Sequence, residues 1–218
     1  MQGEAFVREL EAFKAERLAP ILAAGRMSLD GDGGTADARK LLEVALANEI
    51  NVSELAALWV PTTPEVDVKL AFARQAGDEA GHFQLVAERL TALGFDVAGF
   101  APPAANALFQ YLRGLATTVE RVAAGLYALE AIAYAVNENF MAFCAAKGDV
   151  ETVRIYREYI QPDERGHHEL GKRLLARYAT TPELERVAEA TIARVVELAA
   201  TTRATAADTL GAACFPGC

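Results

Sequence analysis

The sequence predicts an all-α protein. Alanine and leucine dominate it, apolar residues recur at spacings of three and four, and no stretch shows the alternation of a half-buried strand. The 218 residues suffice for one filled core, so a single domain over 1-218 is expected.

A lead helix is read over Phe6 to Leu22, followed by a glycine- and aspartate-rich loop at Gly25 to Gly34. The second helix runs from about Asp37 to Trp59 and stops at Val60-Pro61-Thr62-Thr63-Pro64, where Thr63 reads as an N-cap and Pro64 as the first helical position. The helix that follows continues past Phe83 and Leu90 to Gly94, and an irregular connector spans Phe95 to Pro103. After a shorter helix, Thr117-Thr118-Val119-Glu120 has the form of a capping box, and a long helix carries on to Gly148. Asp149 caps the next, which passes Tyr156 and His168 and reaches Tyr178; Pro162 inside it must remove a backbone hydrogen bond and bend or bulge the helix. Thr181-Pro182-Glu183 opens a last helix to about Leu210. Four long helices with short connections and extra helices at both ends fit an antiparallel four-helix bundle whose core spans about 37-178.

Composition excludes several classes of function. A formal net charge of −9 without a basic patch argues against nucleic-acid partners. The longest charge-free run, Val97 to Leu112, contains Gly99, Pro102 and Pro103 and cannot span a bilayer. The first residues, MQGEAFVREL, lack the pattern of a signal peptide, so a soluble cytoplasmic protein is expected. Cys144 reads as an inert core thiol. Cys214 and Cys218 read as a loose pair in a floppy tail, with a redox or adventitious metal role as the alternative.

The three histidines fall in two places, Asp78-Glu79-Ala-Gly-His82 and Asp163-Glu164-Arg-Gly-His167-His168. Both are Asp-Glu-x-x-His on an expected helix, and Glu and His at i and i+3 share a face, so both can reach one metal ion. From composition, two of three histidines carrying this prefix by chance has a probability on the order of 5 in 100,000, so the repeat is a signal where one copy would be weak. Two more carboxylates stand alone in apolar helix: Glu49 in Val44 to Ser53 and Glu130 in Val122 to Asn137. A lone carboxylate in such a stretch points inward and has to be neutralised. Glu43 and Glu54 compete with Glu49, and Glu120 and Glu138 with Glu130, but those four sit beside polar positions or helix ends. Four carboxylates and two neutral imidazoles carry about −4, which two divalent cations cancel. His168 lies about 100° around the helix from His167 and reads as a hydrogen-bonded histidine outside the site. Tyr127 and Tyr134, at −3 and +4 from Glu130, fall on its face as core aromatics or pocket walls.

This pattern resembles the ferritin-like di-iron carboxylate superfamily, in which Glu, Glu-x-x-His, Glu and Glu-x-x-His come from four helices. The resemblance implies metal ligands Glu49, Glu79, His82, Glu130, Glu164 and His167 and two Fe ions, with Mn/Fe as a variant. The Asp that opens both motifs is similar to that of the oxygen-activating branch (multicomponent monooxygenases, ribonucleotide reductase small subunits, acyl-carrier-protein desaturases). By that resemblance Asp163 would hold His82 and Asp78 would hold His167. The implied function is an O2- or peroxide-dependent hydroxylase or oxidase acting on a small apolar substrate. Its partners would be that small molecule, O2 and an electron-donor protein, and a homodimer stays open. The alternatives are a ferroxidase or iron-handling protein and a non-catalytic metal-stabilised helical module. The chain departs from rubrerythrins in lacking a rubredoxin-like cysteine set, and from storage ferritins in its loop and extra helices.

Overall fold

The computed structural model describes residues 2–30 and 37–217, and among them every regular element is helical. Helix α1 spans Gln2–Asp30, α2 Ala38–Trp59, α3 Val66–Ala92 and α4 Ala107–Arg113. Helix α5 begins at Thr118–Arg121, passes through a π-helical stretch at Val122–Leu129 and continues as Glu130–Ala146. Helix α6 begins at Val150–Ile155, has its own π-helical stretch at Tyr156–Ile160 and continues as Gln161–Tyr178. Helix α7 is Pro182–Leu210.

Two antiparallel hairpins form the centre. In the first, α2 lies along α3: the Trp59 and Phe72 rings are 5.1 Å apart, and two turns away Ser53 donates to the Ala76 carbonyl. In the second, Phe140 meets Tyr156 edge-on at one end of α5 and α6, while His168 Nδ1 lies 2.9 Å from the Tyr127 carbonyl at the other. Gly171 permits that approach, because a Cβ there would stand 2.7 Å from the Leu126 carbonyl group. Helices α3 and α6 face each other in opposite directions, tied by Arg89 to Asp149 and Thr152 at one end and by Arg177 and Tyr178 to Asp67 at the other. α1 packs on the α5–α6 hairpin, and α7 on α4 and the start of α5.

Most boundaries follow from caps. Asp37, Asn106, Thr117, Asp149 and Thr181 each accept a backbone N–H of the first helical turn, and Thr117 with Glu120 completes the capping box. Three expectations need correction. The lead helix does not stop before Gly25: Ile21, Gly25 and Leu29 continue its buried stripe at intervals of four, and that burial outweighs the glycine penalty and the exposed Pro20. Residues 31–36 of the expected loop lie outside the described residues. Thr63 is not the cap of α3, which starts after Glu65; its buried hydroxyl donates to the Trp59 carbonyl and accepts from Arg121. The segment after α7 is not floppy. Cys214 and Phe215 are buried, and Arg203 donates to the carbonyls of Phe215 and Gly217, both at 2.8 Å. Gly217 N–H donates to Asn137, and Asn48 donates to the Pro216 carbonyl. Cys218 lies outside the described residues. Cys144 is buried, which pushes its thiol up to about 12 and keeps it unreactive. No helix among the described residues is long and apolar enough to cross a membrane.

The guanidinium holds the tail through charge-assisted bonds of roughly 1.5–3 kcal/mol each. Arg203→Met should therefore raise the rate at which a thiol reagent labels Cys214 by at least ~10-fold, read in a Cys218→Ser background. Unchanged labelling would show that packing of Phe215 alone anchors the segment.

Candidate metal centre

Each hairpin brings one Asp-Glu-x-x-His motif and one isolated glutamate to the same level. Glu49, Glu79, His82, Glu130, Glu164 and His167 are all at most 3% exposed. Their donor atoms fall into two sets, Glu49, Glu79, His82 and Glu164, and Glu79, Glu130, Glu164 and His167; within each set the atoms lie within 4.8 Å of one another. Glu79 and Glu164 belong to both. The competitors Glu43, Glu54, Glu120 and Glu138 belong to neither.

The rings are aimed inward by their Nδ1 atoms. His82 Nδ1 lies 3.3 Å from Glu79 and 3.6 Å from Glu49, and His167 Nδ1 lies 3.5 Å from both Glu79 and Glu130. The Nε2 atoms face outward to aspartates of the opposite motif: His82 to Asp163 at 3.3 Å and His167 to Asp78 at 2.9 Å. An Nε2–H given to a carboxylate leaves the Nδ1 lone pair for a cation and makes it more basic.

Whether these residues suit a metal can be judged from what lacks a partner. Glu49 Oε1, Glu79 Oε1, Glu130 Oε2, Glu164 Oε2 and His167 Nδ1 are buried with no hydrogen-bond partner. Orphaned oxygens at this density are rare in a folded core, and hard-oxygen plus imidazole donors are what divalent first-row ions take. The donor set fits a metal ion.

Protons stand in when no cation is bound. Burial raises Glu49 to about 8 and Glu164 well above the carboxylate range, and neighbouring Glu79 adds to both shifts. Burial opposes charge on the imidazoles, yet the carboxylates outweigh it. His167 rises to about 11 beside Glu130 and Glu79, and His82 higher still beside Asp163, Glu49 and Glu79. Glu79 moves the other way, because the two imidazoles beside it, His167 and His82, overcome its desolvation.

Other residues at the site were not legible from the motifs. Gln75, four residues before Glu79 and so on its face, donates to Glu130. Tyr156 is wholly buried with an unpartnered hydroxyl, and burial together with Glu49 and Glu164 pushes the phenol well above its usual range. It stands eight residues before Glu164 on the same helix, but the π-helical stretch between them breaks the regular register, so spacing alone does not reveal it. Tyr127 is a core aromatic, one of the two roles expected for it, whereas Tyr134 is not; both turn towards α1. The Tyr127 hydroxyl donates to Glu11 on α1, and Tyr134, more than a third exposed, lines a groove against α1 with Arg165 and His168. The i+5 register of the π stretch before Glu130 displaces Tyr127 from the face that α-helical spacing assigns it. His168 also belongs to the α1 side, its Nε2 2.9 Å from Lys14 Nζ.

The architecture thus defines an all-helical protein with a buried carboxylate–histidine cluster whose groups could hold a metal ion. Residues 14–204 match a family described as a protein of unknown function, DUF455, and the chain belongs to that family. No curated protein and no solved structure matches it.

Groups with raised pKa stabilise the fold in their protonated form. That contribution is complete below the unfolded value and is lost as pH rises through the folded one: from 4.5 to about 8 for Glu49 and from 6.5 to about 11 for His167. The metal-free protein, held in chelator, should melt progressively lower from pH 6 to pH 8.5. Each group contributes a slope of up to roughly 1.4 kcal/mol per pH unit within its window. The metal-loaded protein should not follow, since cations displace these protons and bind better as pH rises. Calorimetry in both states checks this; a chelated protein that gains stability over that range would contradict a protonated cluster.

Asp163→Asn and Asp78→Asn should lower metal affinity by ~10–100-fold with little change in helical content. Asp163→Asn should disturb the metal on His82 more than that on His167, which magnetic or optical spectra of the loaded variants can resolve. Disturbance confined to the metal of the mutated helix would refute the crossed pairing.

Proposed function

We propose that this chain is a di-metal oxidoreductase of the oxygen-activating type, built on a ferritin-like antiparallel four-helix bundle formed by the two hairpins, with α1, α4 and α7 as additions. One observation carries the reading: two four-residue donor sets share Glu79 and Glu164, as two cations bridged by carboxylates require. Six donors with a charge of about −4 balance two divalent ions, and iron is the favoured occupant, with Mn/Fe as the variant.

A pair of iron ions in such a site supplies the electrons for reducing O2 or peroxide. The chain's own residues do the remaining work. Glu49, Glu79, Glu130 and Glu164 provide the oxygen donors, and His82 and His167 the nitrogen donors. Asp163 and Asp78 hold the imidazole rings. Tyr156 presents a buried hydroxyl, kept protonated by burial and by Glu49 and Glu164, as a hydrogen-bond donor near those carboxylates. The six donors are all but sealed from solvent, and excluding water there favours oxidation of a small apolar molecule over indiscriminate release of reactive oxygen. A cytoplasmic protein served by an electron-donor protein is consistent with the acidic surface charge.

Anaerobic reconstitution with Fe(II) should load about two ions per chain, and admitting air should develop near-ultraviolet charge-transfer bands. Alanine at any of the six donors should lose at least one ion per chain. The Glu79→Ala protein is the control, and no oxidation above it would end this reading. Continued uptake far beyond two irons per chain would indicate iron storage instead.

A further inference from the structure

The six donors come from four helices, and three of the four sides between those helices are closed by helix against helix. The α2–α3 and α5–α6 hairpins make two sides, and the facing pair α3 and α6 makes the third. The fourth side lies between α2 and α5. At one end these two helices touch directly: a Cβ on Gly125 would stand 2.7 Å from the Trp59 ring. Further along, at Asn48 and Asn137, the segment 211–217 bridges them instead. Asn48 of α2 donates to the Pro216 carbonyl at 3.4 Å, and Gly217 N–H donates to Asn137 of α5 at 3.0 Å.

The bridge covers an open donor. Glu49 Oε1 is buried and has no hydrogen-bond partner. Gly217 sits against it: a Cβ there would stand 3.5 Å from Glu49 Oε1 and 3.3 Å from the Asn48 Cβ. With φ +78° and no side chain, glycine alone brings the backbone so close to this oxygen.

The segment is held by bonds that can be released without melting a helix. It leaves α7 through the left-handed Gly211. Beyond that residue, the hydrogen bonds of its backbone among the described residues all run to side chains. Ala213 N–H donates to Ser28, Arg203 donates to the Phe215 and Gly217 carbonyls, and Asn48 and Asn137 hold the end. The Arg203 guanidinium also lies 4.2 Å from the centre of the Phe215 ring. Segments fastened in this way open locally, at less cost than global unfolding.

We propose that residues 211–217 form a strap that gates the passage of metal ions to the donor site. Seated, it seals Glu49 between α2 and α5; detached, it uncovers the unpartnered oxygen that first meets an incoming cation. The gate rests on the metal-binding reading above and adds the route of entry. A strap that closes alike over the empty and the loaded site scales uptake and release together and leaves Kd unchanged.

Co(II) uptake by chelator-stripped protein, followed by visible absorption after rapid mixing, tests this, with release read in excess EDTA. All proteins carry Cys218→Ser. Arg203→Met and Gly217→Ala, which loosen the strap, should speed both uptake and release by at least ~10-fold, the factor that one lost hydrogen bond represents. Gly25→Cys supplies the opposite case. A Cβ at residue 25 would stand 3.2 Å from the Cys214 Cβ, close to the ~3.5–4.5 Å that a disulfide spans. Once the cross-link is confirmed by mass, both rates should fall by at least ~10-fold and recover on reduction. Rates indifferent to the cross-link and to both loosening variants, at wild-type cobalt content, overturn the gate and leave the metal site standing. Faster release at unchanged uptake makes the strap a plain support of Glu49 and also overturns the gate. Absence of bound cobalt in every protein, including variants whose Cys214 is labelled rapidly, overturns the metal-binding reading and the gate with it.

Discussion

Everything near the middle of this molecule answers to one electrostatic constraint. Four carboxylates and two imidazoles sit together where water cannot screen them, and like charges at that proximity repel strongly. Either protons or cations must neutralise them. Protons can offset the charge, but they leave five donor atoms without hydrogen-bond partners. The surroundings keep the group rigid while it waits: Gln75 pins Glu130, two aspartates pin the rings, and ion pairs fasten both ends of α3 to α6. A polar cluster this deep would collapse or hydrate if any one helix were free to drift.

Much of this was legible before any coordinates. Glu79, His82, Glu164 and His167 announce themselves through spacing, and Glu49 and Glu130 through isolation in apolar helix, which is the signature of an inward charge. Helix starts were equally legible wherever a side-chain cap sets them. What failed did so for identifiable reasons. Tyr127 turns to Glu11 because a constant 100° per residue does not hold across Val122–Leu129, where the helix is wider. Tyr156 lies within the other π stretch, where α-helical spacing from the motif does not carry a side chain's direction. The end of α1 and the buried tail depend on tertiary contacts, Gly25 against Cys214 and Arg203 on the tail carbonyls, that no local pattern encodes.

The π-helical stretches connect these observations. Pro162 cannot donate a backbone hydrogen bond, and the helix widens over Tyr156–Ile160 directly before it. That widening places Tyr156 in the interior beside the donor set. In α5 the wider turn ends at Glu130 itself, the most deeply buried of the four carboxylates. Both irregular segments therefore adjoin a donor, and both lie on the same hairpin. Helices α2 and α3 of the other hairpin are α-helical from end to end.

The crossed pairing of aspartates and histidines has a kinetic corollary. Residues 81 and 89 positions apart must meet before either ring is held. Such pairs raise contact order, and closing long loops slows the step that forms them. Each hairpin can zip from local contacts, but neither alone can orient its own imidazole. The centre is thus complete only where the two hairpins are docked. Until then the acids and histidines of each half remain hydrated and unable to bind tightly. Metal capture becomes a built-in inspection of assembly: only a chain whose two halves have met in register can retain a full complement.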